Sequence, residues 1–229
     1  MKILQKLLLL LFISGFFSIT TIGQNLQLHY DFGKAYNYGD KIDRKYFTST
    51  LEILKMDKLG STFCFVDVDF DKDNGGASLA YFELARKFTV HKSGLGVQIE
   101  FNDGTPDYIL QAWLAGVSYP IKIGKFTLNT SLLYRANKNA KSPDAQATFV
   151  WYQPIFKNKI LLTGFLDIWT QDKFSGSGKD VVILAEPQIW FVLNPYFSVG
   201  GEVELSKNFF TFDGDLEVMP TLAVKWIFK

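Results

Sequence analysis

What this chain lacks narrows its options. It carries one cysteine, Cys64, in 229 residues. No disulfide can therefore form within it, and no cysteine stands near the N-terminus to take a lipid. Its two histidines, His29 and His91, belong to no H-E-x-x-H motif or His cluster, and no G-x-x-x-x-G-K stretch occurs. The usual sequence marks of a metal site and of a phosphate loop are thus missing. The arginines are Arg44, Arg86 and Arg135, and the formal net charge is +1. Without a basic excess there is nothing to neutralise phosphates, so nucleic acid is not an expected partner. Past the N-terminal segment no apolar run approaches the roughly 20 residues of a membrane-spanning helix. No linker, low-complexity tract or internal repeat divides the remainder. One domain is expected, built without cofactor or metal.

What the N-terminus does have is a leader pattern. Lys2 and Lys6 precede the apolar run LLLLLFISGFF, and SITTIGQN follows, with small Thr21 and Gly23 three and one residues before a cut at Gly23/Gln24. This reads as a cleaved secretory signal peptide over residues 1–23, leaving a domain at 24–229. The run is short for an uncleaved anchor.

From Gln24 onward the chain alternates between apolar and polar residues. In the closing stretch LEVMPTLAVKWIFK, every even position from Leu216 to Phe228 is apolar. Twelve such segments of about 9–13 residues are expected near 26–33, 45–56, 60–70, 79–90, 94–102, 108–119, 125–136, 144–154, 159–170, 180–192, 196–206 and 216–228. Their connections alternate between short turns (MDKLG, HKSG, PIKIG, FKNK, LNP) and longer polar loops. A soluble barrel with that many strands could not pack an inward apolar face to normal density. With the apolar face turned to lipid the difficulty disappears. The fold class expected is all-β: a transmembrane antiparallel β-barrel of about twelve strands, with both termini in the periplasm. Aromatic residues near strand ends, including Tyr119, Phe126, Tyr196, Phe197, Trp226 and Phe228, suit interfacial girdles against outer-membrane lipid. Phe228 near the end of the last strand fits the signal read by the barrel assembly machinery, although Lys229 follows it. Pro187 and Pro220 fall inside expected strands and predict bulges or shifted boundaries there.

Several stretches resemble the nucleoside-specific outer-membrane channel superfamily (Tsx-like), in a branch carrying a domain of unknown function. They are YFTSTLEILKMDKLGSTFCFVDVDF (46–70), AYFELAR (80–86), WLAGVSY (113–119), LTGFLDIW (162–169), ILAEPQIWF (183–191), FSVGGEVELSKNF (197–209) and MPTLAVKWIF (219–228). The resemblance implies a monomeric twelve-stranded barrel passing nucleosides. It assigns no individual contact residue.

Alternation itself points to the lumen. Asp31, Glu52, Asp67, Asp69, Glu83, Glu100, Asp167, Glu186, Glu202, Glu204 and Glu217 share the expected inward face, with Arg135 and Lys225 as the chief cations. Phe63, Phe65, Tyr81, Phe165, Trp169 and Trp190 join them. Acidic rings favour cations over anions, and aromatic faces stack on bases. The expected solute-contacting set is Glu52, Phe63, Phe65, Asp67, Tyr81, Glu83, Glu100, Arg135, Phe165, Asp167, Trp169 and Glu186. Among these, Glu83, Glu100, Asp167 and Glu186 lie away from strand ends and are the first candidates.

DVDFDKDNGG imitates a calcium loop from Asp69, but the sixth place is Asn74 rather than Gly and the twelfth is Ala80 rather than Glu, so the match fails. No catalytic set is recognisable, and an enzyme is not expected. The expectation is an outer-membrane channel for passive entry of small hydrophilic solutes, nucleosides foremost. The alternative is a non-conducting barrel with a structural or interaction role. Exported from cells, the protein should have a mature mass corresponding to residues 24–229, read by intact-mass spectrometry; a mass including residues 1–23 would contradict the leader reading.

Overall fold

In a computed structural model, the residues described are 21–32, 44–71, 75–106, 109–173, 175–210 and 214–228. Of the leader expected over residues 1–23, residues 1–20 lie outside them. No helix occurs among the described residues. The strands are β1 Thr21–Asp31, β2 Phe47–Asp57, β3 Gly60–Phe70, β4 Leu79–Thr89, β5 Gly96–Thr105, β6 Ala112–Ile123, β7 Phe126–Asn137, β8 Asp144–Ile155, β9 Ile160–Asp172, β10 Lys179–Ala185, β11 Gln188–Val192, β12 Phe197–Lys207 and β13 Leu216–Phe228. Each is antiparallel to its neighbours in sequence, except that β10 and β11 both lie between β9 and β12. These two are halves of one stave, so the barrel has twelve. It closes where β13 pairs with β1, from Gln24 opposite Phe228 to Asp31 opposite Thr221. The start of β1 and the end of β13 therefore sit at the short-turn end.

The interruption between β10 and β11 falls at Glu186–Pro187, one of the two places where proline predicts a disturbance. The register is kept across it, because Ala185 opposes Leu166 and Gln188 opposes Thr163. Facing the gap is Gly164, at φ +145°, where a Cβ would come within 2.3 Å of the Glu186 carbonyl oxygen. Only a residue without a side chain lets the two backbones approach there. At Pro220 the expected bulge does not occur. β13 runs straight through in unshifted register with β12. A strand residue points its N and O to the same side, and the Pro220 oxygen accepts from Phe32 just beyond the end of β1. The missing donor thus falls where the β1 ladder has ended.

The register sorts the faces. Leu216, Val218, Leu222, Val224 and Trp226 point outward on β13, and Glu217, Met219, Thr221, Ala223 and Lys225 point inward, as alternation demands. Leu222 is 61% exposed on the outer wall, whereas Gln27, His29 and Asp31 on the inner wall of β1 are at most 1% exposed. Outer-wall aromatics run on across strands, with Phe101 and Trp113 at a centroid distance of 4.8 Å. One flank departs from the rule at its short-turn end. On β2–β4 the outward positions include Lys55, Asp57, Thr62 and Arg86, while Leu54, Met56 and Phe63 turn inward. Arg86 makes two hydrogen bonds to the Asp57 carboxylate, at 2.7 and 3.0 Å, and a third to Thr62 at 3.0 Å. Its guanidinium lies 4.8 Å from the Phe88 ring. A bidentate pair of this kind neutralises both charges on the outer wall.

Leu222 stands at the centre of the closing strand on the lipid side. Leu222→Arg should lower unfolding free energy by ~2–4 kcal/mol, measured by reversible urea unfolding in lipid vesicles.

Candidate functional site

The inner wall encloses one substantial chamber toward the long-loop end, with about 1100 Å³ of space free of protein atoms, counting the solvent it opens to. Each contributing strand presents alternate residues to it, so the lining is a product of period two. β3 gives Phe65, Asp67 and Asp69; β4 gives Leu79 and Tyr81; β9 gives Phe165, Asp167, Trp169 and Gln171. Arg135, Gln146, Leu184 and Glu186 close one side, and Glu202, Glu204 and Thr221 the other.

Of the solute-contacting set expected from sequence, the chamber brings together Phe65, Asp67, Tyr81, Arg135, Phe165, Asp167, Trp169 and Glu186. The other four share the inner wall without lining the chamber. Glu52 accepts from Asn25 at 2.9 Å. Phe63 packs against Phe65 at a centroid distance of 5.8 Å. Glu83 accepts from the Tyr81 hydroxyl at 3.4 Å, and Glu100, 2% exposed, accepts from Gln98 at 3.1 Å.

Two arginines answer the acids. Arg135 donates from Nε to Asn137 at 2.8 Å and from Nη1 to Gln146, and lies 5.0 Å from the Trp169 ring centre. Planar stacking on an indole suits a guanidinium. Arg44 was not among the expected lumen residues. It precedes β2 on a loop and enters the barrel mouth, where Nε meets Asp31 at 2.9 Å and Nη1 meets Glu204 at 2.7 Å. Tyr46 and Phe210 lie 5.3 and 5.1 Å from its guanidinium carbon. Arg44 thus ties the first long loop to β1 and β12. Phe209 and Phe210, from the loop after β12, and Ile109 and Leu110, before β6, complete the mouth. Their sequence signals were weak, because loop residues carry no period.

The lining has a marked hydrogen-bond polarity. Thr48 donates to Asp69 at 2.7 Å, Thr50 donates to Asp67, and the Trp169 indole donates to Gln171 at 3.1 Å. Gln146 donates to Thr148 at 3.0 Å. These four donors are engaged with the protein, and six carboxylates (Asp67, Asp69, Asp167, Glu186, Glu202 and Glu204) face two guanidinium groups around the chamber. Below it, toward the short turns, Trp190 is fully buried against the wall. His29 meets it edge-on at 5.8 Å, the Lys225 ammonium lies 4.0 Å from its ring centre, and its indole donates to Gln188 at 2.9 Å. Lys225, expected as one of the chief inward-facing cations, is packed onto an aromatic wall. Among the described residues no group of His, Cys, Asp and Glu side chains is arranged to hold a metal ion.

A closed twelve-stave barrel with an apolar outer wall and a polar inner chamber is the architecture of outer-membrane channels. The chain belongs to the DUF5020 family, a domain of unknown function, whose pattern matches residues 23–228. Among solved structures it is similar to the NanC porin, at 9% identity over 90% of this chain and 99% of that one, with a TM-score of 0.55. It also matches the COG4313 outer membrane channel from Pseudomonas putida F1 (10% identity, 93% and 98% of the two chains, TM-score 0.49). A third match is the KdgM porin (9% identity, 91% and 100%, TM-score 0.48). No curated protein matches the chain.

Removing Arg44 leaves Asp31 and Glu204, 1% and 6% exposed, without their shared cation. Arg44→Ala should cost ~3–5 kcal/mol of stability, read from denaturant midpoints in detergent; Arg44→Lys should recover only part of it, because an ammonium cannot reproduce the fork.

Proposed function

We propose that this protein is a passive channel of the outer membrane for small hydrophilic solutes, with nucleosides as the leading class. The observation that carries the reading is the chamber itself: a space inside a barrel whose outside is apolar, lined by carboxylates together with Phe65, Tyr81, Phe165 and Trp169. The fold it shares with the NanC porin supports a conducting barrel. The resemblance of its strands to nucleoside channels supports the solute class.

Chemistry agrees with that class. Bases stack on aromatic faces at roughly 1–3 kcal/mol each, and carboxylates accept from ribose hydroxyls. Phosphorylated solutes are disfavoured by six lining acids against two arginines. Movement is down a gradient, with the lining acting as a set of weak sites that a solute enters and leaves. The wall of Trp190, His29 and Lys225 shapes the path toward the short-turn end.

Refolded residues 24–229 in a planar bilayer should conduct, with reversal potentials in a salt gradient favouring cations, and nucleosides should reduce the current at concentrations where hexoses do not. A folded barrel that never conducts would overturn the channel reading and favour a structural role. In that case the mouth residues Arg44, Phe209 and Phe210 would be a closure.

A further inference from the structure

We propose that the chamber discriminates among nucleosides by the hydrogen-bonding edge of the base, favouring bases that present an exocyclic amino group over those that present a carbonyl in its place. The proposal rests on the channel reading above and adds what that reading leaves open, namely which nucleosides are preferred.

The geometry supplies two units of one design. On β9, Asp167 stands between Phe165 and Trp169, two residues from each and on the same face. Across the chamber, Asp67 on β3 lies directly opposite Tyr81 on β4, and the Phe65 and Tyr81 rings are 5.4 Å apart at 50°. Each unit joins an aromatic surface to a carboxylate at its edge. A base lying on the ring turns its rim toward that carboxylate, so the identity of the rim atoms decides the interaction.

Carboxylates only accept. The adenine and cytosine amino groups donate, and a carboxylate accepting from the cytosine amino group is an established pairing. Uracil places a carbonyl oxygen where cytosine has the amino group, and keeps its one ring N–H between two carbonyls. Two acceptors facing each other repel, and the loss is greater in a partly desolvated chamber.

Several donors that could rescue a carbonyl are engaged elsewhere. Arg135 is turned to Asn137 and Gln146 and stacked on Trp169. Arg44 is held between Asp31 and Glu204. The Trp169 indole N–H points to Gln171 and the Thr50 hydroxyl to Asp67. Asn102, 2% exposed on the chamber wall, adds a further acceptor, because its Oδ1 has no protein partner. Around the chamber six carboxylates therefore stand against two guanidinium groups already turned to protein partners.

Cytidine and uridine form the discriminating pair, since their bases differ only in the C4 substituent and the proton on N3, and neither carries a charge. Current block would be titrated on single channels of the refolded protein with each nucleoside, and repeated with Asp167→Asn and, separately, Asp67→Asn. The expected result is half-block by cytidine at about a tenfold lower concentration than by uridine. That ratio should fall toward one in at least one of the two variants, because an asparagine amide can donate to the uracil carbonyl. Equal block by the two nucleosides in the unmodified channel would overturn the proposal while leaving a nucleoside channel standing. A preserved ratio in both variants would overturn the assignment to these carboxylates. Conductance untouched by either nucleoside would remove the nucleoside reading, and absence of conductance from a folded barrel would remove the channel itself.

Discussion

Every backbone N–H and C=O that meets lipid must find a partner within the protein. The pairing of β1 with β13 is what satisfies that demand here. Without it the sheet would keep two open edges, each a row of unpaired polar groups in hydrocarbon. The seam runs from Gln24 opposite Phe228 to Asp31 opposite Thr221. It needs no residue before Gln24, so it is complete in the domain that follows the expected leader. Once the sheet is closed, its two faces are topologically distinct, and alternation acquires a meaning it lacks in an open sheet: outside is lipid and inside is lumen.

Charge placement follows from closure. Twelve staves leave more interior than side chains need to fill, and that interior can hold carboxylates at a density an ordinary core would not accept. The fold moderates the repulsion locally. Arg44 joins Asp31 and Glu204 at the mouth, and Arg135 stands within electrostatic range of Glu83, Glu100 and Asp167. Hydroxyl groups on the adjoining strand, Thr48 and Thr50, satisfy Asp69 and Asp67 across the β2–β3 ladder. Even so, the carboxylates outnumber the guanidinium groups around the chamber, and the excess gives it its electrostatic character.

Most of this architecture was legible in the residues because a strand's period is two and does not depend on depth. The twelve staves, the outward face of β13 and the inward aspect of Asp67, Tyr81 and Asp167 all follow from parity. Depth is what parity does not carry. Glu83, Glu100, Asp167 and Glu186 look equivalent in sequence, each being well inside its strand. In the folded barrel Asp167 and Glu186 line the chamber, whereas Glu83 lies beyond the Tyr81 hydroxyl and Glu100 is buried in the wall. Arg44 escaped because it lies outside any strand, and a loop residue has no face until the loop is folded. Pro187 and Pro220 look alike in sequence too. One interrupts a stave while the other falls where its neighbour has already ended, a distinction made only by the partner strand.

The exchange of faces at the short-turn end of β2–β4 bears on how the barrel sits in its bilayer. On β13 the outward residues stay apolar from Leu216 to Phe228, but on β4 the apolar sequence Ala80, Phe82, Leu84 gives way to Arg86, and on β2 Ile53 gives way to Lys55 and Asp57. Each outward position surrendered shortens the oily band by roughly 7 Å of strand. A band that is shorter on one flank cannot match a slab of uniform thickness while standing upright. The resulting mismatch favours a lean of the barrel axis or a thinning of the inner leaflet beside β2–β4, so the barrel has a front and a back with respect to the lipids around it.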